Sequence, residues 1–388
     1  MKRHILVAIL LIVGSVEAST INVCPTGCDY TSIQTGINYA DPGDTINVSE
    51  GTYKENVMTT KPINIEGAGQ GRTIIDGSFS GTVFIIGFPG PDPFAPGPLI
   101  SLSGLTIEHG KADFGSGIYN KGGRLTLTNC RITQNIASGG AVYNTFHGTI
   151  ALNGTTITNN NATTGGGIYD DYGTLDLNAG SSITNNTAID YGGGIWSQSD
   201  TTLNLNGSTI SGNRAASGGG IYGNGGAINM YSGSVSNNSA NSGGGIYNNN
   251  GPMNLIGGSI AHNYAVTWGG GIFNNQGTVN LNGSSVDNNL ARLFGGGGIC
   301  NNLGVLNLNG SSIDHNYAGT YGGGIYDNVD TSSGYYSTVN LNSGSIDHNM
   351  AEAKLSGGGI YSVYGTVITG NRSLVRENIP DQIRTVGA

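Results

Sequence analysis

Basic residues are what this chain has least of. Lysine and arginine number 15 in 388 residues, against 24 aspartate and glutamate, for a formal net charge of -9. Charged residues of both signs reach only 10%. Between Ile132 and Asn371 the only lysine or arginine side chains are Arg214, Arg292 and Lys354. Scattered cations of that kind cannot displace the counterions of a polyanion, so nucleic acid is excluded as a partner. Proline is scarce at 10 residues, and the 69 glycines follow no Gly-X-Y period, which excludes collagen. A hydrophobic share of 37% with so little charge argues against disorder. Long helices are excluded by the glycine, which costs about 1 kcal/mol per helical position relative to alanine. Long apolar runs are missing too. The longest, Ile5 to Val13, falls well short of the ~20 residues a spanning helix needs, so no membrane span is expected. Lys2 and Arg3 precede it, and Gly14 to Ala18 and Ser19 follow. That order reads as a secretory signal cut near Ala18, which places the mature chain outside the cell or on its surface.

What the chain does have is a repeat. From Lys111 onward a phrase returns: Gly-Gly-Gly-Ile-Tyr, then Gly-Thr-Leu-Asn-Leu-Asn-Gly, then Ser-Ser-Ile-x-x-Asn-x-Ala. Its opening aliphatic falls at Ile118, Val142, Ile168, Ile195, Ile221, Ile246, Ile272, Ile299, Ile325 and Ile360, at intervals of 24, 26, 27, 26, 25, 26, 27, 26 and 35. The last interval is long because Thr331 to Ser337 looks inserted. A fixed period of this size signals stacked repeats. No stretch holds a helical pattern free of glycine or asparagine for ten residues. Each period instead carries three short alternating segments, such as Ile168-Tyr169, Thr174 to Asn178 and Ser182 to Thr184. Wound so that each pairs with its equivalent one turn on, they make a parallel β-solenoid, with Ile168, Leu175, Leu177 and Ile183 pointing inward.

Asparagine supports the same winding. Three residues after the third-segment aliphatic stand Asn135, Asn160, Asn186, Asn213, Asn238, Asn263, Asn289, Asn316 and Asn349, with Asn378 extending the series. A carboxamide both donates and accepts, so a column of them at the ~4.8 Å strand spacing satisfies itself along the axis. Two residues further, alanine recurs from Ala137 to Ala351, where it lets the chain pack closely at the bend.

With these phrases the chain resembles right-handed parallel β-helix proteins of the pectin-lyase-like fold. The Gly-Gly-Gly-Ile-Tyr-Asn and Ile-Thr-x-Asn-x-Ala phrases are similar to repeats of chlamydial polymorphic outer-membrane proteins and of adhesin-like surface proteins. The stretch from Cys28-Asp29-Tyr30 through Gly51-Thr52-Tyr53 to Ile74-Ile75-Asp76-Gly77 is similar to the start of many secreted β-helices, methanogen surface proteins among them. The resemblance implies an all-β, right-handed β-helix of about 12 coils with a short N-terminal capping helix. It also brings polysaccharide lyases and hydrolases into view. Galacturonan hydrolases of this fold carry Asn-Thr-Asp, Asp-Asp, Gly-His-Gly and Arg-Ile-Lys motifs, and only Asp170-Asp171 is found here. Lyases need a proton-abstracting base and cations for the substrate carboxylate, which the repeats lack. The reading leans away from an enzyme. The chain is divided into a signal peptide (1–18), a cap with the first irregular coils (19–110), regular repeats of 24–27 residues (111–372) and a C-terminal tail (373–388).

A solenoid's first coil needs covering. Thr31 to Ala40 carries Ile33, Ile37 and Tyr39 at near-helical spacing, Ser32 as an N-cap and Asp41-Pro42-Gly43 as a stop, which predicts the capping helix. Cys24 and Cys28 frame a short turn and can close a local disulfide in an oxidising compartment. Cys130 and Cys300 lie six to seven coils apart, too far to join within one chain, so they are candidates for intermolecular bridges or free thiols.

Two outer columns complete the candidate sites. Tyr119, Tyr143, Tyr169, Trp196, Tyr222, Tyr247, Phe273, Tyr326 and Tyr361 follow the opening aliphatics, with Cys300 in the same register. They form either an exposed ladder for sugar rings or partner proteins, or a layer packed under the adjacent corner. Asp287, Asp314 and Asp347 share a third-segment register, followed by His315 and His348 in two coils. This is either a solvated flank or a site for Ca²⁺ or a transition metal, with no other cofactor implied. The functional expectation is a secreted, non-enzymatic surface protein whose main partner is itself, assembled into a sheath, layer or matrix. The alternatives are an adhesin that binds surface glycans and a polysaccharide-active enzyme.

Overall fold

The computed structural model describes residues 18–87, 97–328, 337–354, 356–363, 367–371 and 374–386. The expected leader, Ala18 apart, and most of the Thr331–Ser337 insertion lie outside the described residues. The rest is a parallel β-solenoid. Its opening strands form one 13-stranded sheet in strict chain order, from Val57–Thr59 to Ile383–Val386, so the rod has thirteen turns there rather than about twelve. The segment read as a C-terminal tail continues the ladder, with Ile383↔Ile360 and Val386↔Val363 in parallel register.

One coil shows why the sequence winds this way. Ile168–Asp170 opens it, Thr174–Asn178 and Ser182–Thr184 follow on a second face, and a fourth short strand, Thr187–Tyr191, closes it. Thr174–Asn178 alternates in burial, with Leu175 and Leu177 inside and Thr174, Asp176 and Asn178 on the outer face. Ile168 pairs with Val142 below and Ile195 above, and all three are fully buried. Like side chains therefore stack into one continuous core. The fourth strand is an addition to the three expected, and it holds the recurrent alanine. Ala162 and Ala188 are its buried residues and stack in register. The fourth strands form sheets of four and five, linked by single bridges at Arg214 and Ser217.

The Gly-Gly-Gly triplet does two jobs. Gly192 takes a left-handed φ of 60°, which a Cβ would disfavour. Gly194 has an ordinary φ, but a Cβ there would sit 2.7 Å from the Gly220 carbonyl oxygen of the next coil. The residue before each ladder asparagine also adopts left-handed backbone: Asn159, Asn185, Asn237, His262, Asn288, His315 and His348 have φ between 52° and 57°. Asn and His tolerate that region better than most residues, which accounts for their recurrence.

The asparagine column is buried and continuous. Asn186 donates from Nδ2 to Asn213 Oδ1 (3.1 Å) and to the Ile157 carbonyl (3.0 Å), and its backbone N–H donates to the same Oδ1 (2.9 Å). Each carboxamide thus ties three successive coils. The column runs from Asn135, whose Oδ1 accepts the Gly110 N–H, to Asn378.

At the N-terminus a helix, Ile33–Tyr39, covers the first coil. Ser32 is its N-cap, accepting from the Thr35 N–H at 3.2 Å, and Ile33 and Ile37 face the core. Tyr39 does not: it is 70% exposed and stacks on Tyr30 at 5.2 Å. Cys24 and Cys28 are disulfide-bonded with a Cα separation of 5.6 Å.

Candidate functional site

Aromatic, acidic and imidazole side chains converge on a concavity beside the coil that opens at Val142. Opening strands end in a left-handed residue before the next corner glycine, as at Tyr172 (φ 61°), Asn250 (59°) and Gln276 (59°). The coil that opens at Val142 has one residue more there than its neighbours, so Phe146 (φ 54°) and His147 (φ 57°) are both left-handed. The extra residue thrusts Phe146 outward, 47% exposed, beside Tyr172, 43% exposed. With Tyr119, Tyr143, Thr145, His147 and Asp171 they line a cavity of about 370 Å³. Such volumes are in the range of small-molecule sites, ~300–1,000 Å³.

Asp171 is fixed at its edge. Tyr143 Oη donates to Oδ2 at 2.9 Å and Gln198 Nε2 donates to Oδ1 at 2.7 Å. Each oxygen keeps a lone pair for a further donor. Burial, with the Asp171 hydrogen bond and charge, pushes the Tyr143 phenol well above its ordinary range, so it stays a neutral donor. The Lys121 ammonium lies 4.5 Å over the Tyr119 ring. Asp170, by contrast, points into the solenoid and is fully buried. The Asp170-Asp171 pair is thus split across the strand, one carboxyl inside and one outside. Paired-carboxylate hydrolysis needs both on one cleft at ~5–10 Å, and this pair does not supply that.

The aromatic column stacks in register. Centroids are 5.1 Å apart for Tyr119–Tyr143, 4.9 Å for Tyr143–Tyr169, 4.8 Å for Tyr222–Tyr247 and 4.7 Å for Tyr247–Phe273. Trp196 reaches Tyr169 at 4.0 Å. Much of the column is roofed by a second aromatic row from the fourth strands and their corners. Phe114 lies on Tyr143, Tyr191 on Tyr222, Trp268 on Tyr326, and Tyr321 on Tyr326 and Tyr361. The column is therefore mainly a packing layer, with Tyr143 only 8% exposed, and its Tyr119–Tyr143 end borders the cavity.

That roof decides the cysteines. Cys300 is 1% exposed beneath Tyr326 and Tyr361, and Cys130 is fully buried in the core. Both sulfurs are shut away from another molecule's thiol in the folded chain, so of the two readings open for them, intermolecular bridges or free thiols, the burial favours free thiols. Burial pushes the Cys130 thiol up to about 11 and Cys300 well above its ordinary value, which suppresses the reactive thiolate.

The acidic register is brought into line, with Asp287↔Asp314 and Asp314↔Asp347 as strand neighbours. Its members do not act together. Asp347 turns to Arg376 Nη2 at 3.2 Å, and burial followed by Asp314 repulsion raises the Asp287 carboxyl. Asp314, His315 and His348 do cluster, their ligand atoms within 4.8 Å of one another.

A second interior ladder escaped the sequence reading. Asn120 Nδ2 donates to Asn144 Oδ1 (2.7 Å), Asn144 to Asp170 (2.8 Å), Asn248 to Asn274 (2.9 Å), Asn274 to Asn301 (2.8 Å) and Asn301 to Asp327 (2.8 Å). The signal was present in the asparagine that follows Gly-Gly-Gly-Ile-Tyr.

No family model matches the chain, and neither does any curated protein. Among solved structures it is similar to the A-module of Azotobacter vinelandii mannuronan C-5 epimerase AlgE6, at 13% identity and a TM-score of 0.38, over 92% of this chain and 94% of that one. The fold assignment stands on the strand pairing of this chain itself.

Proposed function

We propose that the protein is an exported, non-catalytic solenoid that binds neutral carbohydrate chains, in the manner of an adhesin. The observation that carries this is the cavity in which four aromatic rings surround one anchored carboxylate. Rings bind the apolar faces of sugars, and Asp171 has lone pairs for their hydroxyls. A carboxylate with a single nearby lysine favours neutral over acidic sugars. Export is supported by the N-terminal leader pattern and by the Cys24–Cys28 disulfide. No helix among the described residues is long and apolar enough to cross a membrane. The self-assembling sheath is the weaker reading, since its covalent route relied on thiols that are buried.

A glycan array of neutral and acidic oligosaccharides tests the proposal. Tyr172→Asn places at this register a residue that Asn250 already shows to be tolerated, and Asp171→Asn keeps the shape while removing the charge. Binding of neutral glycans is expected, weakened tenfold or more by Y172N and severalfold by D171N. Binding that neither substitution alters, or none to any neutral glycan, would sink the idea.

A further inference from the structure

The cluster at Asp314, His315 and His348 lies several coils from the aromatic cavity and is independent of it. It arises from the winding. His315 and His348 occupy the same left-handed register one coil apart, so their rings stack at 4.9 Å and 4° between planes. Asp314, the residue before His315, places Oδ1 3.3 Å from the Nδ1 of each ring. The backbone N–H of His315 donates to that same oxygen at 3.1 Å, which fixes its direction. A fourth group orients the outer ring: Glu377 Oε2 lies 2.8 Å from His348 Nε2. A carboxylate that accepts the Nε2–H keeps the proton there and leaves the Nδ1 lone pair facing Asp314. That relay of carboxylate, imidazole and ligand point is the usual support of a metal-bound histidine.

We propose that Asp314, His315 and His348 bind one divalent transition metal of the zinc and copper class, with Glu377 as a positioning residue for His348. Two imidazole nitrogens and one carboxylate oxygen make a donor set for such an ion, whereas calcium takes six to eight oxygens. Metal–ligand bonds of ~2.0–2.2 Å are reached by rotating exposed side chains, since His315 and His348 are 58% and 48% exposed. Three protein ligands leave a coordination position for water or an external donor. Binding ties the coil of Asp314 to the coil of His348.

The repeat supplies its own controls. Asparagine already occupies the register of His315 and His348 at Asn159, Asn185 and Asn237, with φ of 55–56°. Serine occupies the register of Asp314 at Ser211 and Ser236. His315→Asn, His348→Asn and Asp314→Ser therefore remove ligands without asking anything new of the backbone. The untagged full chain, stripped with a chelator, is titrated with Zn²⁺ by calorimetry and with Cu²⁺ by electron paramagnetic resonance. One Zn²⁺ per chain is expected, with nitrogen hyperfine structure on the copper signal. H315N and H348N should each weaken binding tenfold or more, and E377Q about tenfold with the stoichiometry retained. The absence of saturable Zn²⁺ binding, a copper signal without nitrogen coupling, or unchanged affinity in the H315N/H348N double variant would each overturn the site.

Discussion

Asp170 is the residue whose chemistry is most displaced by the fold. It stands in the interior ladder where Asn120, Asn144 and Asn248 stand in other coils, and it accepts from Asn144 Nδ2 at 2.8 Å. Its Oδ2 has no hydrogen-bond partner. Burial, partly offset by the Asn144 hydrogen bond, raises its carboxyl from 3.8 to about 8. Between those values the unfolded chain has lost the proton and the folded chain keeps it. Stability must therefore fall as pH rises from about 4 towards 8, by at most ~1.4 kcal/mol per unit from this group, and level off above. Asp170→Asn removes the titration and supplies the carboxamide its counterparts use. The variant should melt near the wild type at pH 4 and several degrees above it at pH 8. A difference that does not change with pH would mean the carboxyl is not held protonated inside.

The strand and the ladder are the next scale, and here interior and surface asparagines must be separated. Asn213 accepts from Asn186 through the backbone N–H (2.9 Å) and Nδ2 (3.1 Å), and donates to the Ile183 carbonyl (2.9 Å). Asn213→Ala leaves the buried Asn186 N–H without its acceptor, at about 1–3 kcal/mol. Asn254 sits in an outer ladder, donating to Asn229 at 3.0 Å from a half-buried position. Water replaces those bonds, so Asn254→Ala should cost well under 1 kcal/mol. Amide exchange at Asn186 should accelerate about a hundredfold in N213A, while N254A leaves its neighbours nearly unchanged. Equal effects would reduce the buried ladder to a by-product of the repeat.

The same scale shows what the sequence made legible. The Asn135–Asn349 ladder was readable because one residue type holds one register. The second ladder was not, because its register also admits Asp170, Ser197, Gly223 and Asp327, all suited to a narrow interior but unlike in type. The fourth strand was read as a bend because it offers a single inward side chain per coil, the alanine, and one residue shows no alternation. The aromatic cavity was missed for a smaller reason: it follows from one added residue, Phe146, in a loop whose direction only the backbone reveals.

For the whole molecule the question is what keeps a thirteen-turn rod, roughly 60 Å long at ~4.8 Å per turn, from fraying at its first coil. The capping helix is held at both ends by residues far along the chain. Glu55 accepts from the Ile33 N–H (3.0 Å), the Gln34 N–H (3.0 Å) and the Ser32 hydroxyl (2.9 Å), placing a carboxylate on the helix's unpaired donors. Lys61 Nζ donates to the Ile37, Asn38 and Ala40 carbonyls at 2.8–3.1 Å, placing an ammonium on its unpaired acceptors. A seven-residue helix has little stability of its own, so these two side chains and the burial of Ile33 and Ile37 decide whether it stays closed. Glu55→Ala and Lys61→Met should each cost about 1–2 kcal/mol, felt locally. Because each coil contacts only its neighbours, exchange should accelerate at the amides of Ile46 and Val48, which lie under the helix, and stay unchanged at Ile246 and Ile272. An increase spread evenly from end to end would show that the rod unfolds as one unit and that the helix is not its lid.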